Sequence, residues 1–106
     1  MISVLVVTPE TRRLEELAAR HPSVEILTAH GVEDTLEKLG RNRRVDAVLL
    51  LAEKDTEAIA GAIEEDNPAH PPLFQPAGQF RAPGTRILAA RELPELIDLL
   101  VAELEG

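Results

Sequence analysis

The sequence predicts one α/β domain built on a parallel sheet with helices on both faces, and three observations predict it. The first is Asp46-Ala47-Val48-Leu49-Leu50-Leu51-Ala52, a run with one charge at its start followed by six apolar side chains. A strand that is apolar at both even and odd positions has to be covered on both faces, as at the centre of a parallel sheet. The second is the alternation of short apolar runs with stretches of helical periodicity, the pattern of βαβ units. The third is size: 106 residues, 44% of them apolar and 28% charged, make one core and are too few for two.

Ile2 to Val7 reads as the first strand. It runs into Thr8-Pro9-Glu10-Thr11, a helix opening with Thr8 as N-cap, Pro9 where no amide donor is needed and Glu10 where the helix dipole favours an anion. That helix is expected to reach about Arg20, with Leu14, Leu17 and Ala18 on one face, and to stop at His21-Pro22. Ser23 to Ala29 alternates, Val24, Ile26 and Thr28 against Glu25, Leu27 and Ala29, as expected of a strand nearer a sheet edge.

Gly31 to Leu39 follows as a short helix with Val32, Leu36 and Leu39 inward and Gly40 as its stop. After the central strand, a third helix runs from Asp55 or Thr56 to about Asp66, burying Ile59, Ala62 and Ile63, and Asn67-Pro68 ends it. Pro71 to Gln75 holds a short fourth strand, but Pro76 to Gly84 contains too much Pro and Gly for a full helix. Thr85 to Ala90 is the fifth strand. Leu93 to Leu104 is the last helix, with Leu93, Leu96, Ile97, Leu100, Val101 and Leu104 at helical spacing. Five strands joined by right-handed crossovers imply the flavodoxin-like order 2-1-3-4-5 in a three-layer sandwich, with the fourth helix short or absent.

Composition excludes several classes of function. The chain has no cysteine, hence no disulfide, thiolate metal site or thiol nucleophile. Two Phe and no Trp or Tyr leave no stacking platform, and a formal charge of −8 opposes phosphate backbones, so nucleic acid is not an expected partner. The opening Met1-Ile2-Ser3-Val4-Leu5 has no basic region and too short an apolar run for a signal peptide or membrane span, which makes the expected location cytoplasmic. Ser3 and Ser23 are the only serines and neither follows a strand in a glycine-flanked turn; no glycine-rich phosphate loop follows the first strand. An enzyme is not expected.

The chain resembles the receiver domains of bacterial two-component response regulators. The stretches that carry the resemblance are Ile2-Ser3-Val4-Leu5-Val6-Val7 followed by a helix, Val45-Asp46-Ala47-Val48-Leu49-Leu50, and the strand-to-helix run from Gly84 to Leu96. It covers nearly the whole chain, mostly as apolar pattern. The family's chemistry sits in a few polar positions, and here they are changed. The acidic pair closing the first strand and holding Mg²⁺ falls on Thr8 and Pro9, with only the next residue, Glu10, acidic. The phosphorylated Asp at the end of the third strand falls on Leu51, the Ser or Thr of the fourth on Gln75 or Pro76, and the Lys-Pro closing the fifth on Ala90 and Arg91.

A leucine has no oxygen to attack a phosphoryl donor, and without adjacent carboxylates little holds a hard cation. The resemblance therefore implies a non-phosphorylatable pseudo-receiver whose degenerate pocket comprises Thr8, Pro9, Glu10, Leu51, Gln75 and Ala90. It acts by docking a protein partner or a second copy, without cofactor or metal. In the family the stretch after the fourth strand and the last helix form the partner-facing surface, here marked by Phe80, Arg91 and Leu99. Such domains also stand at the front of longer regulatory proteins, some pilus-assembly ATPases among them, so a position of this kind is part of the expectation.

Other residues invite sharper readings. Glu10, Glu53 and Asp55 cluster above the carboxyl edge and suit Mg²⁺, the basis of a metal-dependent enzyme, yet a helix-dipole role for Glu10 and a capping role for Asp55 explain two of the three. A cleft over Thr8, Glu10, Glu53 and Lys54 would make a small-ligand sensor, with Lys54 facing an anion. His21, His30 and His70 sit beside Pro, Gly and Pro in separate turns and match no ligand spacing. Arg41, Arg43 and Arg44 form a basic knot at the amino end of the central strand, read as a solvated loop. Leu99 lies beside the main stripe of the last helix, where it either widens the buried face or forms an exposed patch.

Overall fold

The computed structural model describes residues 2–8, 21–41, 44–51, 55–78 and 81–105. Five parallel strands form one sheet in the order β2-β1-β3-β4-β5. They are β1 (Ile2–Val7), β2 (Val24–Ala29), β3 (Ala47–Leu50), β4 (Leu73–Pro76) and β5 (Thr85–Leu88). Three described helices accompany them: α1 (Gly31–Arg41), α2 (Thr56–Asp66) and α3 (Leu93–Glu105). The helix expected from Pro9 to about Arg20 lies outside the described residues.

β3 lies between β1 and β4, and all four of its side chains are fully buried. They divide by alternation between two cores. Ala47 and Leu49 join Val4, Val6, Val24, Phe74 and Leu88 beneath α3, which contributes Leu96, Ile97, Leu100 and Val101. Val48 and Leu50 join Leu5, Val7, Ala29 and Leu73 on the opposite face, covered by Ile59, Ala60 and Ile63 of α2 and flanked by Val32, Leu36 and Leu39 of α1. A strand shared by two cores favours apolar side chains on both faces, and the central run is hydrocarbon throughout. β2 splits as its alternation predicts, Val24 and Ile26 toward one core, Leu27 and Ala29 toward the other.

Several boundaries differ from expectation for identifiable reasons. Gly40 does not stop α1, which continues through it to Arg41, because nothing there requires a left-handed residue and tertiary packing outweighs a glycine's helix penalty. Asp55 occupies the N-cap position of α2, but its side chain makes no capping hydrogen bond; the helix begins on buried Thr56 instead. Ala60 rather than Ala62 is the buried alanine of α2. β3 is shorter than the apolar run, since Asp46 and Leu51 extend the ladder only through single bonds, Asp46 N–H to Ser3 O at 2.7 Å and Leu51 N–H to Val7 O at 2.8 Å. β4 starts at Leu73 and reaches Pro76, where the missing amide ends it, and β5 stops at Leu88, two residues before Ala90.

Asp46, the single charge at the start of the central run, ties the two middle strands together. Its amide donates to Ser3 O, and its Oδ2 accepts from the Ser3 amide at 2.8 Å. Between β4 and β5 the described residues of the connection are turns without a helix, as the Pro and Gly content predicts.

Candidate functional site

The carboxyl edge of the sheet is built by strand ends. Val7 pairs with Leu50, so Thr8 and Leu51 follow side by side. Thr8 is buried and its amide donates to Ala29 O at 3.0 Å. Leu51 is half-buried, with its side chain packed against the core beneath α3. Ala90 is buried in that same core; its carbonyl accepts from the Ala77 amide at 3.0 Å, which closes the turn after β4 onto the turn after β5. Of the residues expected to line the degenerate pocket, Pro9 and Glu10 lie outside the described residues, as do Glu53 and Lys54 of the expected ligand cleft and Phe80 of the expected docking surface.

Gln75 is fully buried in β4 and turns to the other face of the sheet. Its Oε1 accepts two hydrogen bonds, from the Ala82 amide at 2.9 Å and from the Thr85 hydroxyl at 2.6 Å. Thr85 Oγ1 also lies 2.8 Å from Ala82 O. Burying a primary amide is costly unless it is satisfied, and here satisfaction fastens the connection that would otherwise hold a helix. Sequence reading offered Gln75 or Pro76 for the fourth-strand position and did not anticipate this latch, because the partners of Gln75 are seven and ten residues further along an irregular segment.

Arg91 is exposed at the end of β5, and its guanidinium stands over Gly78. The residue has φ of +87°, a backbone that favours glycine, and a Cβ added there would come 3.0 Å from Arg91 Nε, so the arginine would have to give way slightly. Arg91 thereby seals the turn after β4 at the carboxyl edge.

Beside it, the outer edge of β5 and the neighbouring flank of α3 expose apolar surface. Ile87 is 41% exposed and Leu99 37% exposed, and both line a shallow cavity of about 490 Å³ together with Leu88, Ala102 and Glu103. Leu99 thus belongs to an exposed patch instead of widening the buried face. Ile87 was not anticipated, although its position on the last strand of a 2-1-3-4-5 order was a usable signal: with no helix described over the β4–β5 connection, an outer strand keeps apolar side chains uncovered.

The histidines occupy different settings. His21 Nε2 lies 2.6 Å from Asp98 Oδ1 and links the approach to β2 with α3. His30 is exposed; its amide donates to Asp34 Oδ2 at 2.8 Å, which caps the start of α1. His70 places Nδ1 2.6 Å from Pro71 O. Among the described residues no three His, Cys, Asp or Glu side chains converge as metal ligands, and no described helix is long and apolar enough to cross a membrane.

No protein-family model and no curated protein matches the chain. Among solved structures, it is similar over its full length to the response regulator protein TrrA in the crystal structure of the histidine kinase ThkA in complex with TrrA. The TM-score is 0.71 at 21% sequence identity, with all of both chains covered. At that identity the likeness establishes the fold: a five-stranded α/β sandwich of the response-regulator receiver type.

Proposed function

We propose that the chain is a receiver-like signalling or scaffold module that works by protein–protein docking and takes no phosphoryl group. The observation that carries this reading is Leu51. It follows the central strand at the place where a receiver presents its phosphoacceptor, and its side chain is packed into the core beneath α3. The leucine side chain offers no oxygen, and the neighbouring Thr8 supplies a buried hydroxyl where a receiver supplies a carboxylate. Gln75, at the strand end where a receiver keeps a small hydroxyl, uses its amide oxygen to hold the connection in place.

Docking is supported by the exposed apolar pair Ile87 and Leu99, which line one shallow cavity with the exposed charge of Glu103. An apolar centre with a charged rim is how protein interfaces are built. The similar structure, a response regulator held against a histidine kinase, is consistent with a fold of this kind meeting a protein partner. Incubation with acetyl phosphate and Mg²⁺, followed by intact-mass measurement, tests the reading. No added phosphoryl group is expected; stoichiometric labelling overturns it.

A further inference from the structure

We propose that the outer edge of β5 receives an extended acidic segment of a protein partner, added to the sheet as a further strand. Such a site rests on the docking reading above and gives its partner a chemistry.

β5 ends the strand order, so one of its sides has no described strand beside it. Thr85 shows which backbone groups face that way. Its N–H donates to Ala82 O at 3.3 Å and its carbonyl accepts from Arg81 Nε at 3.2 Å, so both groups are met outside the sheet. The N–H and C=O of one strand residue point to the same side, and the side alternates along the strand. Ile87, two residues after Thr85, therefore presents both groups to the open side. An edge of this kind is a template for another extended chain.

The side chains of β5 select what that chain carries. Arg86 and Ile87 are adjacent and both exposed, so alternation sets them on opposite faces of the edge. Arg86 makes no hydrogen bond or ion pair with a described residue. A strand of alternating acidic and apolar residues answers both faces, with carboxylates across from Arg86 and apolar side chains across from Ile87. Glu103, which lines the same cavity as Ile87, opposes acid on the second of them.

Charge favours an acidic partner over a second copy. No Asp or Glu lies between Asp66 and Glu92, although the chain has a formal charge of −8, and Arg81, Arg86 and Arg91 all fall in that interval. Arg81 reaches the edge through its bond to Thr85 O, and Arg86 belongs to β5 itself. Pairing two β5 edges brings arginines together without an acid to offset them, whereas an acidic strand is attracted to both.

Ile87→Pro is the decisive variant. Proline removes the outward N–H, leaves the ladder to β4 in place and is tolerated on an edge strand. Amide NMR titration of the whole chain with acetylated, amidated Glu-Val-Glu-Val-Glu-Val tests the site. Lys-Val-Lys-Val-Lys-Val and the block peptide Glu-Glu-Glu-Val-Val-Val are the controls. The alternating acidic peptide is expected to shift the amides from Thr85 to Ala89 saturably and to slow hydrogen exchange at Ile87. The lysine peptide does neither, and the block peptide binds more weakly. Ile87→Pro abolishes binding, and Arg86→Glu weakens it at least about five-fold by turning attraction into repulsion.

Absence of shifts, equal response to either control, unchanged exchange at Ile87, or binding that survives in folded Ile87→Pro overturns the proposal. Should Ile87→Pro fail to fold, unchanged affinity in exposed Arg86→Glu overturns it as well. Exchange at Ile87 that slows with protein concentration alone assigns the edge to a second copy and has the same consequence. Labelling by acetyl phosphate overturns the docking reading without moving any of these readouts, so the two fail separately.

Discussion

Gln75 shows how one side chain substitutes for an element. Its oxygen accepts from Ala82 and Thr85, so Gln75→Leu keeps the volume but strands a buried amide and removes one partner of a buried hydroxyl. A loss of about 2 kcal/mol is expected from chemical denaturation, the usual penalty of leaving buried polar groups unmet. Leu51 acts in the opposite sense, because it contributes through what it lacks. Introducing a carboxylate with Leu51→Asp places a charge against the core beneath α3 and is expected to cost about 2 kcal/mol or more in the same measurement. Leucine at this position thus serves the packing of the core beneath α3.

At the scale of elements, helix α2 carries its charge badly. Its mean stability comes from Ile59, Ala60 and Ile63 on the sheet, while its last turn places acid against the dipole. Glu65 is exposed and has no partner among the described residues, so Glu65→Lys is expected to stabilise the protein by about 0.5 kcal/mol and to raise the melting temperature slightly. The connection from β4 to β5 is constrained by backbone as well as by Gln75. Gly78 has a left-handed backbone and lies against Arg91, so Gly78→Ala is expected to lose about 1 kcal/mol by thermal denaturation.

Across the whole molecule the strand order leaves β2 and β5 at the edges, and β5 joins α3 in the exposed apolar patch. Neither Ile87 nor Leu99 is buried, so Ile87→Lys with Leu99→Lys is expected to change stability by no more than about 0.5 kcal/mol. Self-association of the wild type, followed by sedimentation across a concentration series, is expected to be lost in that double variant. Leu99→Lys alone, on α3 and away from the strand edge, separates docking from strand-to-strand pairing, because it is expected to weaken the first and leave the second.

The fold was legible in the chain because burial leaves periodic traces. Asp46 to Ala52 announced a strand covered on both sides, the alternation of Val24 to Ala29 placed its neighbour nearer an edge, and the stripe from Leu93 to Leu104 marked the last helix. The contacts that depend on distant partners left no such trace. Gln75 meeting Ala82 and Thr85, Arg91 lying over Gly78, and Asp46 holding the Ser3 amide are juxtapositions set by which strand lies beside which. Local sequence determines where a side chain sits along its own element, through propensity and period. What it touches is decided only when the crossovers bring separate elements together, and the exposed apolar patch of β5 and α3 is made in that step.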